Sequence, residues 1–152
     1  MKKLILSITS AAFLLSGCAS YHMRQGNRLY NDMAYSMAIE EYQKALSKKE
    51  FPDGRIRLAE SYRLMNDLPH AEEAYSKVVQ MKEAEPVHKL RYGLMLMRNG
   101  KYDQAKTYLD QYLAANANDA SVQKLRASCD SIAAWKEDSL QYTIQTSSLN
   151  SG

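Results

Sequence analysis

Two cysteines and three histidines are the residues of this chain with the richest potential chemistry: Cys18, Cys129, His22, His70 and His88. The histidines are scattered and show no metal-ligand spacing among themselves or toward a cysteine. No nucleophile elbow, phosphate-binding loop or His-Glu-x-x-His pattern occurs. The paired carboxylates Glu40-Glu41 and Glu72-Glu73 fall on outward helix faces, where solvated charge is the default. Met95 and Met97 lie in an apolar helix and are read as packing residues, not metal ligands. Cys129 sits in "SVQKLRASCDSIAAW", where Val122, Leu125, Cys129 and Ile132 recur at helical spacing and Trp135 extends the stripe. That makes it a small core residue; the rival reading is a thiol or metal enzyme using Cys129 with the histidines. No catalytic residue, metal or cofactor is assigned, and the chain is expected not to be an enzyme.

Cys18 has a different context. "MKKLILSITSAAFLLSGCAS" opens with two lysines, continues with an apolar run from Leu4 to Leu15 and ends in small residues, the layout of a secretory signal. The run is far short of the roughly 20 residues that cross a bilayer. Leu15-Ser16-Gly17-Cys18 resembles the bacterial lipobox. The resemblance implies thioether lipidation of Cys18, cleavage before it and acylation of the new amino group. Each buried CH2 of such chains contributes about 0.8 kcal/mol. Ala19, not aspartate, follows the cysteine, which by the usual sorting rule implies an outer-membrane lipoprotein. No acidic cluster follows, so the body is expected to face the periplasm. With Cys18 modified, Cys129 has no internal disulfide partner.

The net charge of +3 includes Lys2 and Lys3 of the signal; setting them aside leaves 18 basic against 17 acidic residues. With no basic patch interleaved with aromatics, nucleic acid is not an expected partner. The 11 tyrosines against 2 phenylalanines suit helix packing and binding surfaces, since the ring is buried while its tip hydrogen-bonds.

The elements that position all of this repeat. "GNRLYNDMAYSMAIEEYQKAL", "AESYRLMNDLPHAEEAYSKVV" and "GLMLMRNGKYDQAKTYLDQYL" align, with Gly26, Ala59 and Gly93 at spacings of 33 and 34. Ala38, Ala71 and Ala105 keep the same phase, as do Tyr42, Tyr75 and Leu109. Pro52 and Pro86 stand at the joints, where a proline suits a first helical turn and opposes continuation of the previous helix. The period and the order of small and large residues resemble tetratricopeptide repeats (TPRs). In that family the two small residues let helices A and B approach, and the large residue fills the space beside them. Met33 stands where the inter-helix turn usually carries glycine, Asn66-Asp67 replaces it in the second repeat, and Gly100 supplies it in the third.

The expected fold is therefore all-α: a TPR solenoid of three helix-turn-helix repeats plus a C-terminal capping helix, with a signal peptide and a short extended tail. The signal covers residues 1–17 and the repeats 18–118, divided at about 19–51, 52–85 and 86–118. A capping helix follows over 119–138, with Asp119 as its N-cap. The tail, 139–152, alternates Leu140, Tyr142 and Ile144 with polar residues, the period of a strand.

The TPR resemblance implies a concave face lined by A helices that binds a protein or peptide. Position by position, it implies Met23, Asn27, Tyr30 and Asn31 in repeat 1. Repeat 2 supplies Ile56, Glu60, Arg63 and Leu64, and repeat 3 supplies Leu90, Leu94, Met97 and Arg98. The carboxylate clamp of chaperone-binding TPRs is incomplete: Asn27 and Arg91 match it, but Met23 and Val87 replace its lysines. The order of lipobox, three repeats, capping helix and a strand ending in Asn150-Ser151 is similar to Bacteroidetes outer-membrane lipoproteins of the TPR, β-propeller and OmpA-like type. These are the PorE-like proteins of type IX secretion. That resemblance implies a chain continuing into a propeller, with peptidoglycan bound only by a domain absent here. The function expected is a non-catalytic scaffold docking an envelope protein; a BamD-like assembly lipoprotein is the alternative, with too few repeats here to match.

Overall fold

The computed structural model describes the backbone of residues 2–132 and 135, and the side chains of residues 17–132 and 135. The tail with Leu140, Tyr142, Ile144 and Asn150-Ser151, the end of the capping segment to Asp138, and the side chains of the signal run lie outside the described residues.

Six helices are followed by a seventh: α1 (Lys2–Asn31), α2 (Tyr35–Leu46), α3 (Pro52–Leu64), α4 (Leu68–Val78), α5 (Pro86–Arg98) and α6 (Tyr102–Leu113), then α7 over residues 120–132. No strand occurs among the described residues. The chain divides into two compact units, Met1–Ala84 with α1 to α4 and Glu85–Gly152 with α5 to α7.

Local chemistry sets the helix boundaries. Pro52 and Pro86 open α3 and α5, where the missing N–H costs nothing. Asp67 caps α4 by accepting from the His70 N–H, and Glu85 and His88 cap α5 reciprocally. Asp119 Oδ1 accepts from the N–H groups of Ser121 and Val122, both at 3.1 Å, which starts α7.

The three hairpins share one turn. Met33, Asn66 and Gly100 each adopt positive φ, at 59°, 58° and 75°. In each turn the left-handed residue bonds back to the third residue before it: Met33 N to Tyr30 O, Asn66 N to Arg63 O and Gly100 N to Met97 O. The next N–H reaches further back, Ala34 to Leu29 O, Asp67 to Tyr62 O and Lys101 to Leu96 O. This double closure is the Schellman motif. Met33 has no turn chemistry of its own and is 75% exposed, so its side chain contributes little burial. Met33→Gly is expected to stabilise the protein by about 0.5–1 kcal/mol, the left-handed strain relieved less the added freedom of the unfolded chain; urea unfolding measures it.

In the first unit Met23, Ala38, Tyr42 and Ala45 form a buried cluster, flanked by Leu29, Tyr30, Phe51 and Leu58. Ala59, Ala71, Tyr75 and Val78 are fully buried in its second hairpin. The A and B helices meet closely at the small residues. A Cβ on Gly26 would stand 2.7 Å from Tyr42 Cε1. In the second unit Ala105 and Leu109 are fully buried, and a Cβ on Gly93 would meet Leu109 Cδ2 at 3.1 Å.

α7 runs antiparallel to α6, tied by Arg126 to Asp110 and by Lys106 to Asp130. Val122 and Cys129 are buried. Ile132 and Trp135, expected on the same inward stripe, are 37% and 77% exposed. The pairing explains this: it sets Ile132 against the first turn of α6 and Trp135 beyond its start.

Candidate peptide-docking face

In the first unit the residues expected on the A-helix face divide into two layers. Tyr42 Oη donates to Asn27 Oδ1 at 3.0 Å. One repeat later Tyr75 Oη donates to Glu60 Oε1. The geometry is equivalent: a tyrosine of helix B reaches the same position on helix A in both hairpins. In the third repeat those two positions are Leu94 and Leu109, an apolar pair. The repeat therefore keeps either a bonded polar pair or two leucines at this crossing.

Glu60, expected on the face, is only 5% exposed and lies beneath it. Its Oε2 accepts from Arg63 Nε at 2.9 Å and Nη2 at 2.7 Å. Glu60 thus holds Arg63 in place instead of presenting itself. Met23 is also displaced from the expected face. It is 9% exposed, and Gly54 and Phe51 at the start of α3 pack over it.

Tyr30, Asn31, Arg63 and Leu64 remain open. Tyr30 and Arg63 are half-buried, while Asn31 and Leu64 are exposed. Arg57 Cζ lies 4.9 Å from the Tyr30 ring centroid, linking α3 to α1, and Tyr35 meets the same ring edge-on at 5.5 Å. Burial, then the Glu60 charge, push the Tyr30 phenol above its usual range. Burial likewise pushes Tyr42 up to about 12. Both rings therefore stay neutral hydrogen-bond donors at any physiological pH. Arg57 was missed from the sequence, although a signal existed: Arg24, Arg57 and Arg91 recur at the same 33 and 34 spacing.

In the second unit Leu94 and Met97 are half-buried on α5 and Arg98 is exposed. Tyr92 and Tyr108 meet edge-on at 4.5 Å, and His88 is buried under its cap.

A cleft of about 360 Å³ lies between α2, α3 and α4 on the first unit. Its polar groups are engaged, Gln43 with Tyr62 at 2.8 Å and Lys77 with Glu73 at 2.7 Å inside the cleft, and Arg55 with Glu50 and His70 with Asp67 outside it, the His70 ring stacked on Tyr62. Cys129 is fully buried, and that burial raises its thiol above the usual range. Its Sγ donates to Leu125 O at 3.5 Å. A thiol held protonated in this way is a packing group. Among the described residues no cluster of His, Cys, Asp and Glu is arranged to hold a metal ion.

Residues 67–129 match the family model for the tetratricopeptide repeat. This is a TPR fold. The chain is similar to the Hsp70-Hsp90 organizing protein of Triticum aestivum, 31% identical over 99 residues. That match takes in 65% of this chain but spans only 16% of the wheat protein. Among solved structures, yeast Tom70 superposes with a TM-score of 0.67 at 26% identity, over 80% of this chain and 26% of that one. The first TPR domain of Spaghetti (RPAP3), solved with the HSP90 peptide SRMEEVD, gives 0.64 at 19% identity, over 78% and 95%. PcrH, solved with the chaperone-binding region of PopB, gives 0.56 at 16% identity, over 74% and 92%. TPR hairpins in this chain thus correspond to α1 with α2, α3 with α4, and α5 with α6.

Proposed function

We propose that this chain is a lipoprotein of the outer membrane, anchored through Cys18 and facing the periplasm, whose TPR face docks another envelope protein. On the resemblance to PorE-like lipoproteins, the machinery served is type IX secretion. The observation that carries the docking reading is the layered face of the first unit. Tyr30 and Arg63 are open to a partner, while Arg57 braces the one and Glu60 the other. Preorganised aromatic and guanidinium groups are the side chains that dominate protein interfaces. Two structural relatives carry peptide segments in their solved complexes, which supports a peptide or extended segment as the ligand class. Leu94, Met97 and Arg98 on α5 are candidates in their own right, tested by the same assay.

The experiment is affinity purification of the tagged, detergent-solubilised protein from its native envelope. A specific envelope protein is expected to co-purify, and Tyr30→Ala or Arg63→Glu is expected to weaken its binding about tenfold or more. Recovery of the protein alone, with every face variant neutral, rejects the docking reading. Cys18→Ala is expected to move the protein from the membrane fraction to the soluble one.

A further inference from the structure

Cys18 is not separated from the folded body by a linker. It lies within α1, half-buried, and its neighbour Ala19 is fully buried. Met23, little more than one turn further on, belongs to the core cluster. A lipid attached at Cys18 therefore enters the bilayer directly from the first hairpin.

The groups around that point carry positive charge. α2 runs antiparallel to α1, so its C-terminal end reaches Cys18, and Lys48 Nζ stands 2.9 Å from Cys18 Sγ. Lys48 and Lys49 are both exposed, and among the described residues neither is paired with a carboxylate. Lys49 lies over the Phe51 ring at 5.5 Å. Of the carboxylates near this end Glu41 and Glu50 are already engaged, while Asp53 in the first turn of α3 is exposed. Glu41 is bound by His22 at 2.7 Å and Lys44 at 2.8 Å, and Glu50 by Arg55. Glu40 is exposed but lies two turns of α2 away from Lys48, about 12 Å. Tyr21, one turn past Cys18, is 51% exposed, and exposed tyrosine suits the headgroup level of a membrane.

We infer that the end of the first hairpin formed by Cys18, Tyr21, Lys48 and Lys49 docks flush on anionic phospholipid headgroups. The inference rests on the lipoprotein reading, which puts acyl chains at Cys18. The lysines add little to an attachment that the chains already secure. They fix the angle at which the TPR body leaves the membrane, because phosphate contacts beside a rigid attachment point resist tilting.

The test uses the full-length lipidated protein, extracted from membranes and reconstituted in vesicles of phosphatidylcholine alone or with phosphatidylglycerol. Lys48 and Lys49 are labelled with a water-soluble amine reagent, read by mass spectrometry and normalised to a soluble peptide in the same tube. Labelling is expected to be about fivefold slower in the anionic vesicles, the factor matching one lysine–headgroup contact. It should recover in high salt. Equal rates in both vesicles, with the protein still floating with lipid, overturn the inference and leave the lipoprotein reading intact. Absence of metabolic palmitate at Cys18 removes that reading and the inference together.

Discussion

Gly26→Ala is expected to destabilise the first hairpin by about 2 kcal/mol, whereas the same change at Gly93 is expected to stay within about 1 kcal/mol of neutral. Elsewhere in a helix, glycine to alanine is favourable by roughly 1 kcal/mol. At Gly26 the new methyl would sit 2.7 Å and 2.8 Å from two ring carbons of Tyr42. That ring cannot move aside. Tyr42 is fully buried and its hydroxyl is tied to Asn27. Overpacking of this kind costs up to about 3 kcal/mol, which outweighs the gain in propensity. At Gly93 the contacts are longer, Leu109 Cδ2 at 3.1 Å, its Cγ at 3.2 Å and the Ala105 carbonyl oxygen at 3.4 Å, so a shift of a few tenths of an ångström admits the methyl. Urea unfolding of the two variants, prepared without the lipid, compares them directly. Equal effects at the two sites would mean that the ring contact does not control the A–B approach.

The contrast shows which parts of the fold were legible in the sequence. Spacing singled out Gly26, Ala59 and Gly93 with their large partners, and the TPR resemblance gave them the role of crossing residues. Proline placement marked the starts of α3 and α5, and Asp119 marked the start of α7. Met33 looked like a departure from the repeat, yet its backbone takes the same left-handed turn as Asn66 and Gly100. There the tertiary closure of the hairpin overrides the side chain's own preference. Other features depend on contacts that no single helix records. The stripe through Val122 and Cys129 says which face of α7 turns inward, but not how far α7 runs past the start of α6, so the exposure of Ile132 and Trp135 was hidden. Met23 followed the pattern of a face residue, but Phe51 and Gly54 at the start of α3 cover it. A carboxylate such as Glu60 is read as exposed unless its donors, here on α3 and α4, are known.

Glu60 is the site of the other large expected effect. Glu60→Leu is expected to cost about 2 kcal/mol, the range for taking an acceptor away from a buried hydroxyl and from a guanidinium that is itself part-exposed. The change deletes the acceptor for Tyr75 Oη and for both Arg63 contacts, at a position only 5% exposed. Pairing it with Tyr75→Leu recreates the Leu94 and Leu109 combination of the third repeat, and the double variant is expected to be more stable than the sum of the single changes by about 1–3 kcal/mol. Strict additivity would show that the two residues do not act as a unit. The double variant also separates folding from docking. Its core is apolar and packed on the third-repeat pattern, but Arg63 has lost the carboxylate that holds it. A stable double variant that binds the envelope partner more weakly than wild type assigns Glu60 to positioning Arg63. Unchanged binding would instead confine Glu60 to the packing of the second hairpin and leave Arg63 to orient itself on the partner.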